Sequence, residues 1–259
     1  MPNMDEIRRL FDQQNRIDIE YSDMRREATP HVVRLIDTVH GRGTLIYSQL
    51  DESSADETIR DEIAYFKSLG IANEFEWKVY DYDQPADLKE RLSAQGFVAD
   101  EREAVLILDL QATPQALLAP VTHDVRRITD PAGLVDLAGV YGQDWYKDAG
   151  WFLDALATTL RETPQELSVY IAYVDGVPAS SACMELPPNN DFGGLWGGET
   201  LPEYRKRGLY TALVAVRAQE AIQSGKRYLT IDASPMSRAV LEKFGFQFMA
   251  YTYPCNYWG

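Results

Sequence analysis

The chain has 259 residues, of which 45% are hydrophobic, so it can form one large domain or two of ordinary size. Its formal net charge of −15 argues against nucleic acid and against an anionic membrane surface as partners. Two cysteines, Cys183 and Cys255, cannot build a disulfide framework or a four-ligand zinc site, and we expect no metal. The N-terminus lacks an apolar signal core and no apolar run approaches a membrane span, so we expect a cytoplasmic protein.

Residues 1–115 are predicted to form an N-terminal domain. Asn3 as N-cap with Glu6 three positions later predicts a helix over roughly the first 30 residues. The other predicted elements are strands over 44–49, 75–80 and 103–110 and helices over 56–69 and 85–95. Pro114 and Pro120 make 111–123 the best linker candidate.

Residues 121–259 are predicted to form a second domain. Its expected strands span 124–129, 168–174, 177–186, 195–200, 228–233 and much of 246–257, and its expected helices span 131–141, 151–160, 209–224 and 236–244. Asp175-Gly176 predicts a tight hairpin turn, and 187–194 a loop. The fold class is therefore a mixed α/β sheet with helices on its faces. The order helix, Gly, strand, helix, Gly-Phe recurs in both halves, which favours a duplication over chance.

The segment 193–213 predicts a phosphate site. A Gly-rich strand leads through Pro202 into a basic turn with one glycine, Gly208, and then into an Ala-rich helix. A helix that begins there directs unpaired amide N–H groups and its positive dipole end toward an anion. Arg205, Lys206 and Arg207 add positive charge in an otherwise acidic chain, so a small phosphorylated cofactor is expected.

This motif resembles the one of the GCN5-related N-acetyltransferase (GNAT) family, Gln/Arg-x-x-Gly-x-Gly/Ala, here Arg205-Lys-Arg-Gly208-Leu-Tyr210. Residues 234–246 resemble the family's Asn-x-x-Ala-x-x-x-Tyr-x-x-x-Gly-Phe stretch. The resemblance implies a mostly antiparallel, twisted GNAT-like sheet over about the last 140 residues. It also implies that acetyl-CoA or another acyl-CoA is the co-substrate.

Carried over by position, the resemblance implies a cofactor site along the strand end, the basic loop and the following helix start. The implied residues are Gly198, Glu199, Thr200, Arg205, Lys206, Arg207, Gly208, Leu209, Tyr210, Thr211, Ser234 and Ser237. The pantetheine arm would pair with the strand at Gly198–Thr200. A solvated helix cap is the simpler interpretation of the basic triplet 205–207. The position of the triplet between a strand and a helix disfavours that interpretation.

Two positions depart from the family pattern. Tyr210 replaces a small residue, with its side chain expected to point away from the phosphates, and Leu241 stands where many members place the tyrosine that protonates the leaving thiolate. Tyr251 and Tyr253 are candidate replacements, and each is equally explained as a strand aromatic. Direct attack of a neutral amine on the thioester also needs a base and a polarising N–H group. Glu199 is the preferred base and Asp232 a second candidate; Cys255 lacks a nearby histidine, and the three histidines are expected to be structural or exposed.

The acceptor pocket is expected beside the first two helices of the second domain. Tyr141, Asp144, Trp145 and Trp196 combine aromatic surface with negative charge, which suits a small, cationic primary amine. Ordinary helix packing explains the same aromatics. The acidic run 51–57 would repel pyrophosphate, so the N-terminal half resembles the degenerate half of a tandem acetyltransferase.

Three functions remain open on the sequence alone. The first is an N-acyltransferase acting on a small amine, as a monomer or homodimer. The second is a non-catalytic acyl-CoA-binding module, motivated by Leu241. The third is aminoacyl transfer from charged tRNA, which the acidic surface disfavours.

Overall fold

The computed structural model describes residues 3–71, 75–141 and 150–258. They cluster into two compact units, each discontinuous in sequence. The first comprises Met1–Leu106, Asp232–Arg238 and Phe248–Gly259, and the second Ile107–Ile231 and Ala239–Gln247. The predicted domains, 1–115 and 121–259, are contiguous, whereas in the structure the C-terminal residues cluster with the N-terminal ones.

The first helix is shorter than the sequence predicts. Helix α1 (Met4–Asp12) is capped by the side chain of Asn3, as expected, and a wider helical turn over Gln13–Ile17 ends it. The prediction of helix to about residue 30 is wrong beyond that turn, because strand β1 (Arg25–Ala28) follows. Exposed or half-buried Arg25, Arg26 and Glu27 give this edge strand no apolar alternation from which it could be recognised.

The first unit is a sheet with two helices between its strands. Its further elements are β2 (Val32–Asp37), β3 (Arg42–Ser48), α2 (Ala55–Ser68), β4 (Phe75–Tyr80), α3 (Leu88–Ala94), β5 (Phe97–Ala99), the start of β6 (Glu103–Asp109) and most of β12 (Gln247–Tyr257). Strands β1, β2 and β3 are antiparallel, β4 runs parallel to β3, and β12 is antiparallel to β4. Sequence patterns did not predict β2 or β5.

The core of this unit is aromatic. Phe66 of α2 stacks on Phe75 of β4 with ring centroids 4.3 Å apart, and Trp77 and Phe97 pack edge to face at 6.2 Å. Phe66, Phe75, Trp77 and Phe97 are buried. Together with the buried aliphatic side chains of the same cluster, these rings hold the two helices against the sheet.

The second unit is a sheet with helices on both faces. Its elements are α4 (Gln115–Leu118), β7 (Asp124–Ile128), α5 (Leu134–Tyr141), α6 (Gly150–Glu162), β8 (Leu167–Val174), β9 (Val177–Glu185), β10 (Phe192–Thr200), α7 (Leu209–Gln223) and β11 (Tyr228–Ala233); α8 (Pro235–Leu241) begins in the first unit. Strands β7 to β10 are antiparallel, and β11 is parallel to β10. The predicted mixed, mostly antiparallel fold is confirmed.

Residues 111–123 are packed in the second unit. Leu117 is fully buried, and Gln219 of α7 donates from Nε2 to the carbonyl oxygens of Leu117 (2.8 Å) and Ala119 (3.0 Å). The predicted linker is thus fixed against α7, and the prolines shape it rather than loosen it. The predicted loop 187–194 is also too long, since β10 already begins at Phe192.

The two units repeat one order of elements. In the first unit, three antiparallel strands (β1 to β3) are followed by α2 and by β4, which is parallel to β3. In the second, β8 to β10 are followed by α7 and by β11, which is parallel to β10. This repeat supports the duplication inferred from the sequence. None of the described helices combines the length and apolar character that crossing a bilayer requires.

Candidate active site

Strand β10 carries a bulge near its C-terminal end. Its pairing with β9 places Trp196 opposite Cys183 and then shifts, so that Glu199 lies opposite Ser181. Gly197 adopts a positive φ of 63° within the bulge. Tyr141 of α5 donates its hydroxyl to the carbonyl oxygen of Gly197 at 2.8 Å. The predicted substrate residue Tyr141 therefore holds the bulge in place.

The same part of β10 separates from its other neighbour. Parallel pairing with β11 runs from Phe192–Tyr228 to Leu195–Ile231 and ends there, whereas pairing with β9 continues to Thr200. Residues 196–200 therefore have a main-chain edge that β11 does not use. Such an edge can accept an extended ligand carrying amide groups, which binds as an added strand.

The loop after β10 is shaped by two residues with positive φ. Lys206 has φ 63° and Gly208, the N-cap of α7, has φ 81°. His123 donates from Nε2 to the carbonyl oxygen of Arg207 at 3.0 Å, which steadies the loop from a neighbouring segment. The sequence predicted only that His123 would be structural or exposed. Its contact with this loop could be recognised only in the folded structure.

The loop presents unpaired donors and exposed cations. Within the described part of the chain, the backbone amides of Lys206, Arg207, Gly208, Leu209 and Thr211 donate to no acceptor. The side chains of residues 205–207 are exposed. Donors at the start of a 15-residue helix, together with three cationic side chains, are what an anion site requires, and the phosphate site stays a prediction.

Hydrogen bonds link Glu199, Thr200 and Arg205 beside the bulge. The carboxylate oxygen Oε1 of Glu199 accepts from the backbone amide of Thr200 (3.1 Å) and from Arg205 Nη2 (3.3 Å). Arg205 Nε donates to the carbonyl oxygen of Thr200 at 3.1 Å. The structure thus brings Glu199, the predicted base, together with Thr200 and Arg205, two residues of the predicted cofactor site, and the Glu199 carboxylate accepts from the Thr200 amide.

Tyr210 and Trp196 complete the surroundings of the bulge. A Cβ atom added at Gly198 would lie 3.1 Å from the Tyr210 ring, so this ring packs on the glycine of β10. Trp196 packs edge to face on Phe152 of α6 with ring centroids 5.5 Å apart. Two other predicted substrate residues, Asp144 and Trp145, lie outside the described residues.

Arg217 of α7 is a residue that sequence reasoning missed. It is only 1% exposed and donates to the carbonyl oxygens of Leu213 (3.0 Å) and Cys183 (2.9 Å), the latter opposite Trp196 where the bulge begins. Burial lowers the pKa of Arg217. Its only sequence signal was its spacing, since Leu213, Arg217 and Ala221 follow each other at four-residue intervals on the buried face of the helix.

The remaining predicted site residues lie in the first unit. Asp232 forms an ion pair with Lys78 of β4. Burial by itself lowers the pKa of Lys78, but Asp232, Tyr80 and Glu76 together outweigh it and raise this pKa well above its ordinary value. Ser234 and Ser237 share a hydroxyl contact of 3.1 Å at the start of α8. No single unit therefore contains both these residues and the basic loop.

Both candidate tyrosines already interact with cations. Tyr251 Oη accepts from Arg238 Nη1 at 3.1 Å, and Lys89 Nζ lies 4.6 Å from the ring centroid of Tyr253. Leu241 is fully buried, which leaves its position without any acid.

Burial raises the pKa of the Cys255 thiol to about 12, so it stays protonated and is a poor nucleophile. Among the described residues, no group of three or more potential ligands could hold a metal ion.

Glu103 gives the first unit a distinctive pH dependence. Burial, followed by the charge of Asp232, raises its pKa from 4.5 to about 7, with Lys78, Glu76 and Asp100 as its other charged neighbours. Folding therefore favours the protonated form. The stability that protonated Glu103 contributes to the folded state is complete below pH ~4.5 and is lost as the pH rises through about 7.

We expect Glu103→Gln to remove this dependence. Raising the pH from 5 to 8 should lower the unfolding free energy of the parent protein by about 2 kcal/mol more than that of the variant, after allowance for partial exposure. Chemical unfolding at several pH values measures this difference, with the exposed Glu101→Gln as control. A constant difference between variant and parent would contradict the assignment.

The repeated topology identifies the first unit's counterpart of the basic loop. The turn between β3 and α2 carries Asp51, whose Oδ1 accepts from the backbone amides of Ser53 and Ser54, each at 2.9 Å. The hydroxyls of both serines also donate to it, at 2.7 and 3.0 Å. These hydrogen bonds, those from Ser53 first, lower the pKa of Asp51 to about 2. Its own carboxylate thus occupies donors that a phosphate would need.

Comparisons with known proteins agree with this geometry. Residues 134–246 match the family model "Acetyltransferase (GNAT) family", over the segment that contains the bulge, the basic loop and α7. This segment is a GNAT-family domain. No curated protein sequence matches the chain.

Solved structures share the GNAT fold over almost the whole chain. A GCN5-related N-acetyltransferase from Kribbella flavida superposes with a TM-score of 0.63 at 16% identity, covering 92% of this chain and 90% of its own. A protein of unknown function from Staphylococcus epidermidis reaches 0.66 at 12% identity, covering 93% and 96%. A tandem GNAT protein from the clavulanic acid biosynthesis pathway reaches 0.60 at 13% identity, covering 93% and 85%.

Proposed function

We propose that the chain is an N-acyltransferase that transfers an acetyl or other acyl group from acyl-CoA to a small primary amine. One observation carries this proposal: a bulged strand with an unused main-chain edge leads directly into a loop of unpaired amides and exposed cations. The edge fits the amide-bearing pantetheine arm, and the loop fits the pyrophosphate. Membership of residues 134–246 in the GNAT family supports the same co-substrate.

The residues around the bulge have distinct proposed roles. The amides of the loop and Arg207 bind phosphate oxygens, while Tyr141 and Arg217 keep the bulge in shape. The Thr200 amide is placed to polarise a thioester carbonyl once the Glu199 carboxylate moves off it. Glu199 then becomes available to accept a proton from the attacking amine, directly or through water.

Acyl transfer balances without a covalent enzyme intermediate. The amine nitrogen forms a bond to the acyl carbon, the carbon–sulfur bond breaks, and the amine loses a proton to a base. The leaving thiolate can take its proton from water or from a tyrosine hydroxyl, for which Tyr251 and Tyr253 remain the proposed candidates since Leu241 has none. The small cationic amine stays the proposed acceptor class, with Trp196 as a proposed wall of its pocket.

A thiol-release assay over amines, polyamines, aminoglycosides and amino acids tests the reaction, and calorimetry with acetyl-CoA tests binding. Arg207→Glu should weaken acetyl-CoA binding at least about tenfold, since it places a negative charge among the phosphate donors. Arg161→Glu makes the same charge change on an exposed residue at the end of α6 and should leave binding unchanged. Equal binding by both variants would contradict the proposed site.

A non-catalytic acyl-CoA-binding module is the second candidate. Two observations favour it: the buried Leu241 and the engagement of Glu199 by Arg205. Acetyl-CoA binding without thiol release for any amine would support this candidate. Thiol release that depends on one amine would exclude it.

A further inference from the structure

The first unit contains a cavity of its own. It has a volume of about 420 Å³ and is formed by the start of β6, the end of β11, the beginning of α8 and β12. Ala104, Ala233 and Pro235 give it small apolar walls, while Arg102, Arg238 and Tyr251 supply its polar surface. This volume lies within the range of small-molecule sites.

The Tyr251 ring organises two guanidinium groups at this cavity. Arg102 Cζ lies 4.3 Å from the ring centroid of Tyr251, and Arg238 Cζ lies 5.9 Å from it. Arg238 also donates from Nη1 to Tyr251 Oη at 3.1 Å and lies over the Phe248 ring at 4.7 Å. Both guanidinium groups thus approach the same ring, and each would attract an anion in the cavity.

In the described part of the chain, Arg102 has no acidic partner. Among the described residues its guanidinium makes no hydrogen bond and no ion pair; its one interaction is with the Tyr251 ring. A second cavity of this unit, about 510 Å³ in volume, shows the contrasting case. There Arg91 is neutralised by Asp87 (2.8 Å) and Asp56 (3.1 Å). The cavity at Tyr251 is therefore the one of these two suited to an anion.

We propose that this cavity binds a small organic carboxylate. A carboxylate matches the planar fork of a guanidinium with two parallel hydrogen bonds, and a short carbon chain fits against the alanines and Pro235. Glu101 also lines the cavity, and its negative charge disfavours phosphate, whose two charges lie on one group, more than a carboxylate group, which carries only one. The role of Tyr251 is then to hold both guanidinium groups at the cavity.

Calorimetric titration of the full chain with glutarate, at constant low ionic strength, tests the proposal. We expect saturable binding that Arg102→Ala weakens about tenfold and that Arg102→Lys partly restores, because lysine keeps the charge but not the fork. Arg102 is exposed, so removing it should leave the fold intact, and thermal unfolding without ligand checks this. Arg60→Ala, an exposed arginine of the same unit, should bind like the parent protein.

Three further outcomes decide the assignment. Equal binding by the parent protein and Arg102→Ala would overturn it. Inorganic phosphate binding as tightly as glutarate would overturn the carboxylate preference. Loss of glutarate binding in the presence of saturating acetyl-CoA would overturn a separate site, whereas retained binding supports one whether or not the proposed acyl transfer occurs.

Discussion

Gly208→Val is expected to weaken acetyl-CoA binding about 100-fold while helix α7 stays folded, a change of about 2.7 kcal/mol. Gly208 has φ 81°, a region that a β-branched residue enters only with strain. Valine relaxes toward negative φ and turns the amides at the start of α7 away from their common focus. An added Cβ would also meet the His123 ring at 3.4 Å, where His123 contacts the loop. Calorimetry measures the affinity, and circular dichroism checks the fold.

Gly225→Val is the matched control for this prediction. Gly225 follows the C-terminal end of the same helix, has φ 75°, and its added Cβ would have no atom within 4 Å. Both variants therefore carry a similar backbone strain of about 1–2 kcal/mol, but only Gly208 lies in the proposed phosphate loop. If the two variants lost acetyl-CoA affinity equally, strain in the unit rather than loop geometry would explain the loss, and the proposed site would fail.

Asp83→Ala is expected to lower the unfolding free energy by about 3–5 kcal/mol. Its partner Arg16 is 0% exposed, and Arg16 Nη2 donates to both carboxylate oxygens of Asp83, at 2.9 and 2.7 Å. Asp83 also accepts from the backbone amide of Tyr80 at 2.9 Å. Without Asp83, the buried charge of Arg16 keeps Asp12 (3.0 Å) as its one ionic partner among the described residues. Denaturant unfolding measures the change.

Asp87→Ala is the control for the loss of one carboxylate. Asp87 pairs with Arg91 at the surface, where solvent screens the charges and such a pair contributes little to stability. The double variant Arg16→Met/Asp83→Leu should recover much of the stability, since apolar side chains replace the whole buried pair. If Asp83→Ala lowered the unfolding free energy no more than Asp87→Ala does, the buried pair would not be what stabilises the end of α1.

The repeated topology gives the degenerate first half a physical explanation. Both units place a turn between the third strand of the repeat (β3 or β10) and the following helix. The backbone amides of the two turns differ in their hydrogen bonding. In the second unit, Arg205 to Gly208 leave several amides open beside cations, whereas Asp51 bonds the amides of Ser53 and Ser54 itself. The first unit thus keeps the fold while its turn satisfies its own donors.

The sequence by itself determined the features that depend on neighbouring residues. Strand β4 has the predicted bounds, Phe75–Tyr80, because its buried residues alternate. The turn Asp175-Gly176 has positive φ at both residues, as a two-residue hairpin requires. The cationic loop before α7 followed from residue types within one short segment, since helix starts and turns are governed by local backbone chemistry.

Only the tertiary structure decided which distant residues meet. Lys78 and Asp232 are 154 positions apart, and Tyr141 reaches Gly197 across 56. The C-terminal strand joins the first unit, so Asp232 and Tyr251 lie with the N-terminal residues, while Glu199 lies with the basic loop. Periodicity reports which face of an element is buried, but not which element covers it. Pairings of this kind arise from packing of the whole chain, and local patterns carry no record of them.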